Sequence, residues 1–160
     1  MADLLTHVLV AYVLATLLSW RYDWLTPPFV TVAMIGAAIP DLNRLDLVVP
    51  SETITAVTGV PFDWGAFHVL GGSLLAVAIG ALLTAPPHRR RVAGLLLLGV
   101  ASHHALDVLL IDATGYSYPV FWPLTDYQPP SGNLYLSTDR WPAAVSAVLA
   151  GVVWYARYHR

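Results

Sequence analysis

His7, Asp41, His68, His103 and Asp107 are side chains that bind metals or move protons near neutral pH, and each lies in or beside a strongly apolar stretch. The last two fall within "SHHALDVLLIDATG", Ser102 to Gly115. Four residues apart, they share one face of a helix. Neutral imidazole nitrogen and carboxylate oxygen make a ligand set for a divalent metal: zinc by preference, with manganese and iron as alternatives. There is no cysteine, so thiolate sites, disulfides and cysteine nucleophiles are excluded. An open site of this kind can hold an activated water and polarise a phosphoryl oxygen. Asp41 or Asp107 can instead orient a ligand histidine from behind.

The elements that must position these groups read as membrane helices. The 160 residues are 57% hydrophobic and only 11% charged, with a mean hydropathy of +0.62, whereas about a quarter of a soluble domain is charged. Cutting at prolines, charges and turn clusters leaves five apolar segments: Leu4 to Trp20, Pro28 to Pro40, Ala66 to Ala85, Val92 to Ile111, and Pro142 to Tyr158. Most approach the roughly 20 residues that span a bilayer core. The expected fold is therefore all-α, one polytopic membrane bundle of about five transmembrane helices over residues 1–160, with long connections at 41–65 and 112–141. The N-terminus lacks a basic region and a cleavage site, so it is expected to be the first helix rather than a removable signal.

Every basic residue is arginine and the net charge is only −2, which argues against a nucleic-acid partner. If five helices alternate in direction, Arg21, Arg89, Arg90, Arg91, Arg157 and Arg160 share one side and only Arg44 and Arg140 the other. The positive-inside rule makes the arginine-rich side cytoplasmic, with the C-terminus, and turns the N-terminus and both long connections outward. The same alternation brings His7, Asp41, His68, His103 and Asp107 to one depth on the outward side. His104, about 100° around the helix from His103, reads as a packing or hydrogen-bonding residue. Ser73 lacks the context of a nucleophile elbow and reads as helix packing. Tyr116, Tyr118, Trp122, Tyr127 and Tyr135 suit an interfacial aromatic belt better than a lid.

The stretches "THVLVAYVLA" from Thr6, "GAAIPDLNRLD" from Gly36, "FHVLGGSLLA" from Phe67, and "ASHHALDVLLIDATG" with the later "FWPL" at Phe121 to Leu124 resemble, in order and spacing, the motifs of the YdjM-type family of membrane-bound proteins assigned as metal-dependent hydrolases. The resemblance runs from residue 6 to about 124. It implies a helical membrane protein with a His and Asp metal site and hydrolytic activity. His7, Asp41, His103 and Asp107 match motif positions. A further motif of the family usually reads His-Arg-Gly-x-Thr-His-Ser; here its places hold Asp63, Trp64, Gly65, Ala66, Phe67, His68 and Val69. The second histidine is kept as His68, the first is Asp63, and the arginine, a natural phosphate clamp, is Trp64. Asn43 stands where a second acidic residue often follows Pro-Asp.

The expected function is hydrolysis of a lipid or isoprenoid phosphoester at the outer leaflet. His7, Asp41, His68, His103 and Asp107 would be the metal ligands, Asp41 and Asp63 further ligands or the base for water. Arg44 and Arg140, the only arginines on the site side, would meet an anionic headgroup. The alternative is a non-catalytic membrane scaffold or lipid- or partner-binding protein with a structural His and Asp cluster. A transporter is a third reading, disfavoured by the lack of an internal repeat.

Overall fold

The computed structural model describes residues 3–159, so Arg160 lies outside the described residues. Six α-helices follow one another: α1 Leu4–Ser19, α2 Pro27–Ala38, α3 Ser51–Thr58, α4 Leu70–Leu83, α5 Arg89–Val108 and α6 Trp141–Tyr158. No strand occurs among the described residues, only the isolated bridges Leu110 to Tyr135 and Tyr116 to Pro130. Local chemistry sets the boundaries. Asp3 caps α1 through its side chain. Proline opens α2 and sits in the first turn of α6, where its missing N–H costs nothing. Pro40 then tightens the chain into a 3₁₀ run, Pro40–Leu47.

Two features depart from expectation. The connection at 41–65 holds the 3₁₀ run and α3, and Trp64–His68 is a separate 3₁₀ turn. It is set off from α4 by Val69, whose extended backbone (φ −121°, ψ 163°) delays the helix to Leu70. In addition, no helix among the described residues is long and apolar enough to cross a membrane. Helices α1, α2 and α4 have only 16, 12 and 14 residues. Helix α5 has 20 but opens on three arginines, and the 18 residues of α6 are diluted by Trp154, Tyr155, Arg157 and Tyr158.

Small and polar residues share the interior with Leu25, Val30, Leu95, Leu96 and Val100, while many other large apolar residues face out. Ala11, Ala15, Ala33 and Ala37 are fully buried, while Leu75, Leu82, Leu83, Val148 and Val152 are more than half exposed. Small interior residues let backbones meet. Helices α2 and α5 run parallel and touch: a Cβ added to Gly99 would lie 2.2 Å from the Ala33 carbonyl oxygen, and one on Gly36 would lie 2.3 Å from that of Leu96. Phe29 against His88, and Arg91 over the Trp24 ring, hold the arginine-rich end of the same bundle.

At the other end the segment after α5 closes the helix termini. Gly132 and Leu134 amides donate to Val108 and Leu109 carbonyls, and the Tyr135 hydroxyl donates to Leu106. Leu70 and Gly71, at the start of α4, donate to Val120 and Trp122. Groups that a helix end leaves unpaired are thereby satisfied within the chain.

The α2–α5 contact predicts a contrast between two glycines of one helix. Gly99→Ala should lower stability by about 1–3 kcal/mol through overpacking. Gly94→Ala, whose Cβ meets nothing within 4 Å, should be neutral or stabilising by up to about 1 kcal/mol through helix propensity. Thermal denaturation in detergent reads both; equal effects would show that the contact is not limiting.

Candidate metal centre

His7 comes from the first turns of α1, His68 from the 3₁₀ turn before α4, and His103 and Asp107 from the last turns of α5. The fold brings all four together. Around the Asp107 carboxylate, His7 Nε2 lies 3.4 Å from Oδ1, while His68 Nε2 and His103 Nε2 lie 3.1 and 3.3 Å from Oδ2. His7, His103 and Asp107 are buried, with ligand atoms within 4.8 Å of one another, a spacing that can hold a metal ion. His68 is the most accessible, its side chain 13% exposed. The His7 and His103 rings stack, with centroids 3.7 Å apart.

The hydrogen bonds behind the rings fix the chemistry in front. His103 Nδ1 meets the Ala37 carbonyl at 2.8 Å, and His68 Nδ1 meets that of Pro40 at 3.3 Å. A carbonyl only accepts, so both Nδ1 atoms donate. In the neutral rings each Nε2 then presents a lone pair to the Asp107 carboxylate, and no hydrogen bond satisfies His103 Nε2 or either nitrogen of His7. Lone pairs facing an anion repel unless a cation lies between them. At metal–ligand distances of about 2.0–2.2 Å, the ligands of a tetrahedral ion stand ~3.3 Å apart, close to the separations here. The donor set, its spacing and its backing by main-chain carbonyls fit a divalent metal.

His104 faces the other way. Ser73 donates to the Phe67 carbonyl (2.8 Å), so its oxygen receives the His104 Nε2 proton (3.3 Å), and His104 Nδ1 accepts from the Tyr118 hydroxyl (2.8 Å). Both nitrogens are thus engaged, and Ser73 is a buried link in this relay. Tyr118 lies against the His68 ring, centroids 4.6 Å apart. Burial first, then the charges of Asp107 and Asp41, push its phenol well above the usual value, so it keeps its proton and donates.

The other sequence candidates are placed differently. Asp41 is buried; Oδ1 accepts from Arg44 Nε at 3.0 Å and Oδ2 has no hydrogen-bond partner. It is not one of the three groups within mutual ligand distance. Asp63 is exposed and caps the 3₁₀ turn by accepting the Gly65 amide at 2.8 Å; no ion pair joins it to the histidines. Trp64 is a structural clip, its indole N–H donating to the Val49 carbonyl at 2.8 Å. Arg44 has a half-exposed side chain, and Arg140 is exposed at the start of α6. A cavity of about 130 Å³, lined by His68, Asp107, Leu110, Asp112, Ser117, Tyr118 and Ser131, opens onto the centre. Sequence reasoning did not single out the roles of Tyr118, Asp112, Ser117 or Ser131; the aromatic at 118 was the only local signal. Main-chain acceptors such as Ala37 and Pro40 leave no signature.

An all-helical protein with small residues inside and a buried histidine–carboxylate centre is the class these features define. The family described as YdjM inner membrane protein matches residues 1–159, and the chain belongs to it. Membership of an inner membrane family supports a membrane location. Comparisons with curated proteins and with solved structures give no match.

The His104 relay yields a prediction about stability. Tyr118→Phe removes the hydroxyl that donates to His104 Nδ1 and should cost about 1–3 kcal/mol. Tyr127→Phe, whose residue is 58% exposed, should cost almost nothing. Denaturant unfolding in detergent compares them, and equal stability would remove Tyr118 from the relay.

Proposed function

We propose that this protein is an integral-membrane, metal-dependent hydrolase of a phosphoester of lipid or isoprenoid type. The observation that carries the reading is the turning of three Nε2 atoms onto one buried carboxylate, with two of the rings locked from behind by main-chain carbonyls. His7, His68, His103 and Asp107 hold the ion, zinc by preference, with manganese or iron as alternatives. A divalent ion there supplies Lewis-acid polarisation of a phosphoryl oxygen and an acidified water.

The chain's own groups do the rest. Asp41, whose Oδ2 is buried and without a hydrogen-bond partner, is assigned as a further ligand or as the base that takes a proton from water. Asp63, occupied as a cap, is given no chemical role in this reading. Ser117 offers a hydroxyl to a phosphoryl oxygen in the cavity, beside the Tyr118 and Ser131 walls. Arg44 neutralises Asp41 and, with Arg140, supplies cationic charge on the site side.

Five helices, α1, α2, α4, α5 and α6, are assigned to the bilayer. The outward-facing leucines and valines support this, as does the satisfaction of helix ends by the segment after α5. Short helices are accommodated by local thinning or by flanking residues that reach the interface. The arginines at 21, 89–91 and 157 put their end of the bundle in the cytoplasm and the centre outside.

Elemental analysis of detergent-purified protein tests the centre, alongside His103→Ala, Asp107→Ala and, as control, the exposed His88→Ala. After loosely bound metal is removed, the parent and the His88 variant should retain near-stoichiometric zinc, manganese or iron. Both centre variants should lose it, along with phosphoester hydrolysis. No metal in the parent, even after resupply, defeats the reading and favours a structural polar cluster; metal without hydrolysis favours a metal-stapled scaffold.

A further inference from the structure

A second hollow lies on the far side of the Tyr118–His104 hydrogen bond. It is an apolar groove of about 550 Å³, lined among others by Leu70, Ala101, His104, Ala105, Val108 and Phe121. That volume is within the range of small-molecule sites, roughly 300–1,000 Å³. Tyr118 lines the small polar cavity and His104 the large apolar one, and a 2.8 Å hydrogen bond joins the two side chains. Asp107 and Val108, neighbours on α5, likewise face the two hollows. A polar pocket at the centre and an apolar groove beside it match the two ends of an amphiphile.

Resting on the hydrolase reading, we infer that the substrate is a terminal phosphomonoester on one long hydrocarbon chain, with the phosphoryl group in the polar cavity and the chain in the groove. The cavity suits the head: its volume of about 130 Å³ has room for a phosphoryl group, and the walls at His68, Asp107 and Ser117 are polar. Chemistry selects the tail, because the groove walls outside His104 are almost all alkyl or aromatic, and α5 lends Ala101 and Ala105, small enough to leave a channel. The reaction balances as hydrolysis: the water oxygen bonds to phosphorus and the bond from phosphorus to the chain oxygen breaks. That oxygen leaves with a proton as the alcohol, and inorganic phosphate is released.

The test uses the full chain in phosphatidylcholine nanodiscs with hexadecyl phosphate bearing a mid-chain diazirine, the matching hexadecanol as comparison, and phosphate release followed in the same samples. Photolabelling by the phosphate should concentrate on peptides spanning residues 101–108 and 120–129. It should fall about tenfold in Ala105→Trp, which fills the groove from an exposed position of α5, while metal content and helicity confirm that the variant is folded. Equal labelling of the groove by hexadecanol would make it a bulk-lipid contact only and overturn the proposal, as would labelling indifferent to Ala105→Trp. Phosphate-selective, groove-dependent labelling without phosphate release would defeat the hydrolase reading and leave the groove as a binding site for alkyl phosphates.

Discussion

The Asp107 carboxylate is buried beside three imidazole nitrogens, and burial makes a negative charge costly to hold. Two of the rings cannot rescue it by donating a proton while neutral, because their N–H groups already point at the Ala37 and Pro40 carbonyls. A cation among the four groups, as proposed, would resolve the conflict, and much of the surrounding structure maintains the geometry that creates it. The His103 bond requires α2 and α5 to lie nearly in backbone contact, hence Gly36 and Gly99 at their crossing. The His68 bond requires Pro40 to end α2 where its carbonyl faces the turn before α4. Val69 supplies the extended step that lets His68 leave the α4 axis and look inward.

The same logic governs the end of the bundle. Polar side chains at this depth stop the helices from running on as plain apolar rods, so carbonyls at the end of α5 and amides at the start of α4 would be left exposed. The segment after α5 covers both sets, and in doing so delivers Tyr118 to His104 and His68. Capping and site construction are one operation here. The pair His103 and His104 shows how finely this is divided: adjacent in sequence, one ring aims at the centre and the other ties α5 to α4 and the covering segment.

The sequence disclosed the helical class, the approximate helix boundaries and the residues that meet at one end. Apolar length and proline placement are local properties, and alternating helix direction alone sorts His7, Asp41, His68, His103 and Asp107 to one end of the bundle. It did not disclose α3 or the 3₁₀ runs Pro40–Leu47 and Trp64–His68, whose mixed composition carries no clear period. Nor did it reveal that Asp63 is taken up by the Gly65 amide, since a capping aspartate and a ligand aspartate look alike until the turn is built. The late start of α4 was hidden for a similar reason: Ala66 to Ala85 reads as one apolar run, and only the tertiary demand on His68 breaks it at Val69.

Trp64 sharpens the question of how an anion is held. The position that the family resemblance gives to an arginine carries an indole that donates to Val49 and packs edge-on against Phe62, so no guanidinium fork is offered there. Asp112 on the cavity wall adds negative charge, and Arg44 is already engaged with Asp41. On the proposed reading, an anion at the polar end is favoured by the bound cation and by the charges of Arg44 and Arg140, and further affinity comes from elsewhere. A hydrocarbon chain burying roughly 200 Å² would contribute about 5 kcal/mol at ~25 cal/mol per Å², before the cost of ordering the chain. On that reading, a site with a tryptophan where the family resemblance expects an arginine can hold a phosphorylated substrate if that substrate is an amphiphile, and the apolar groove beside His104 is where such a chain has room to lie.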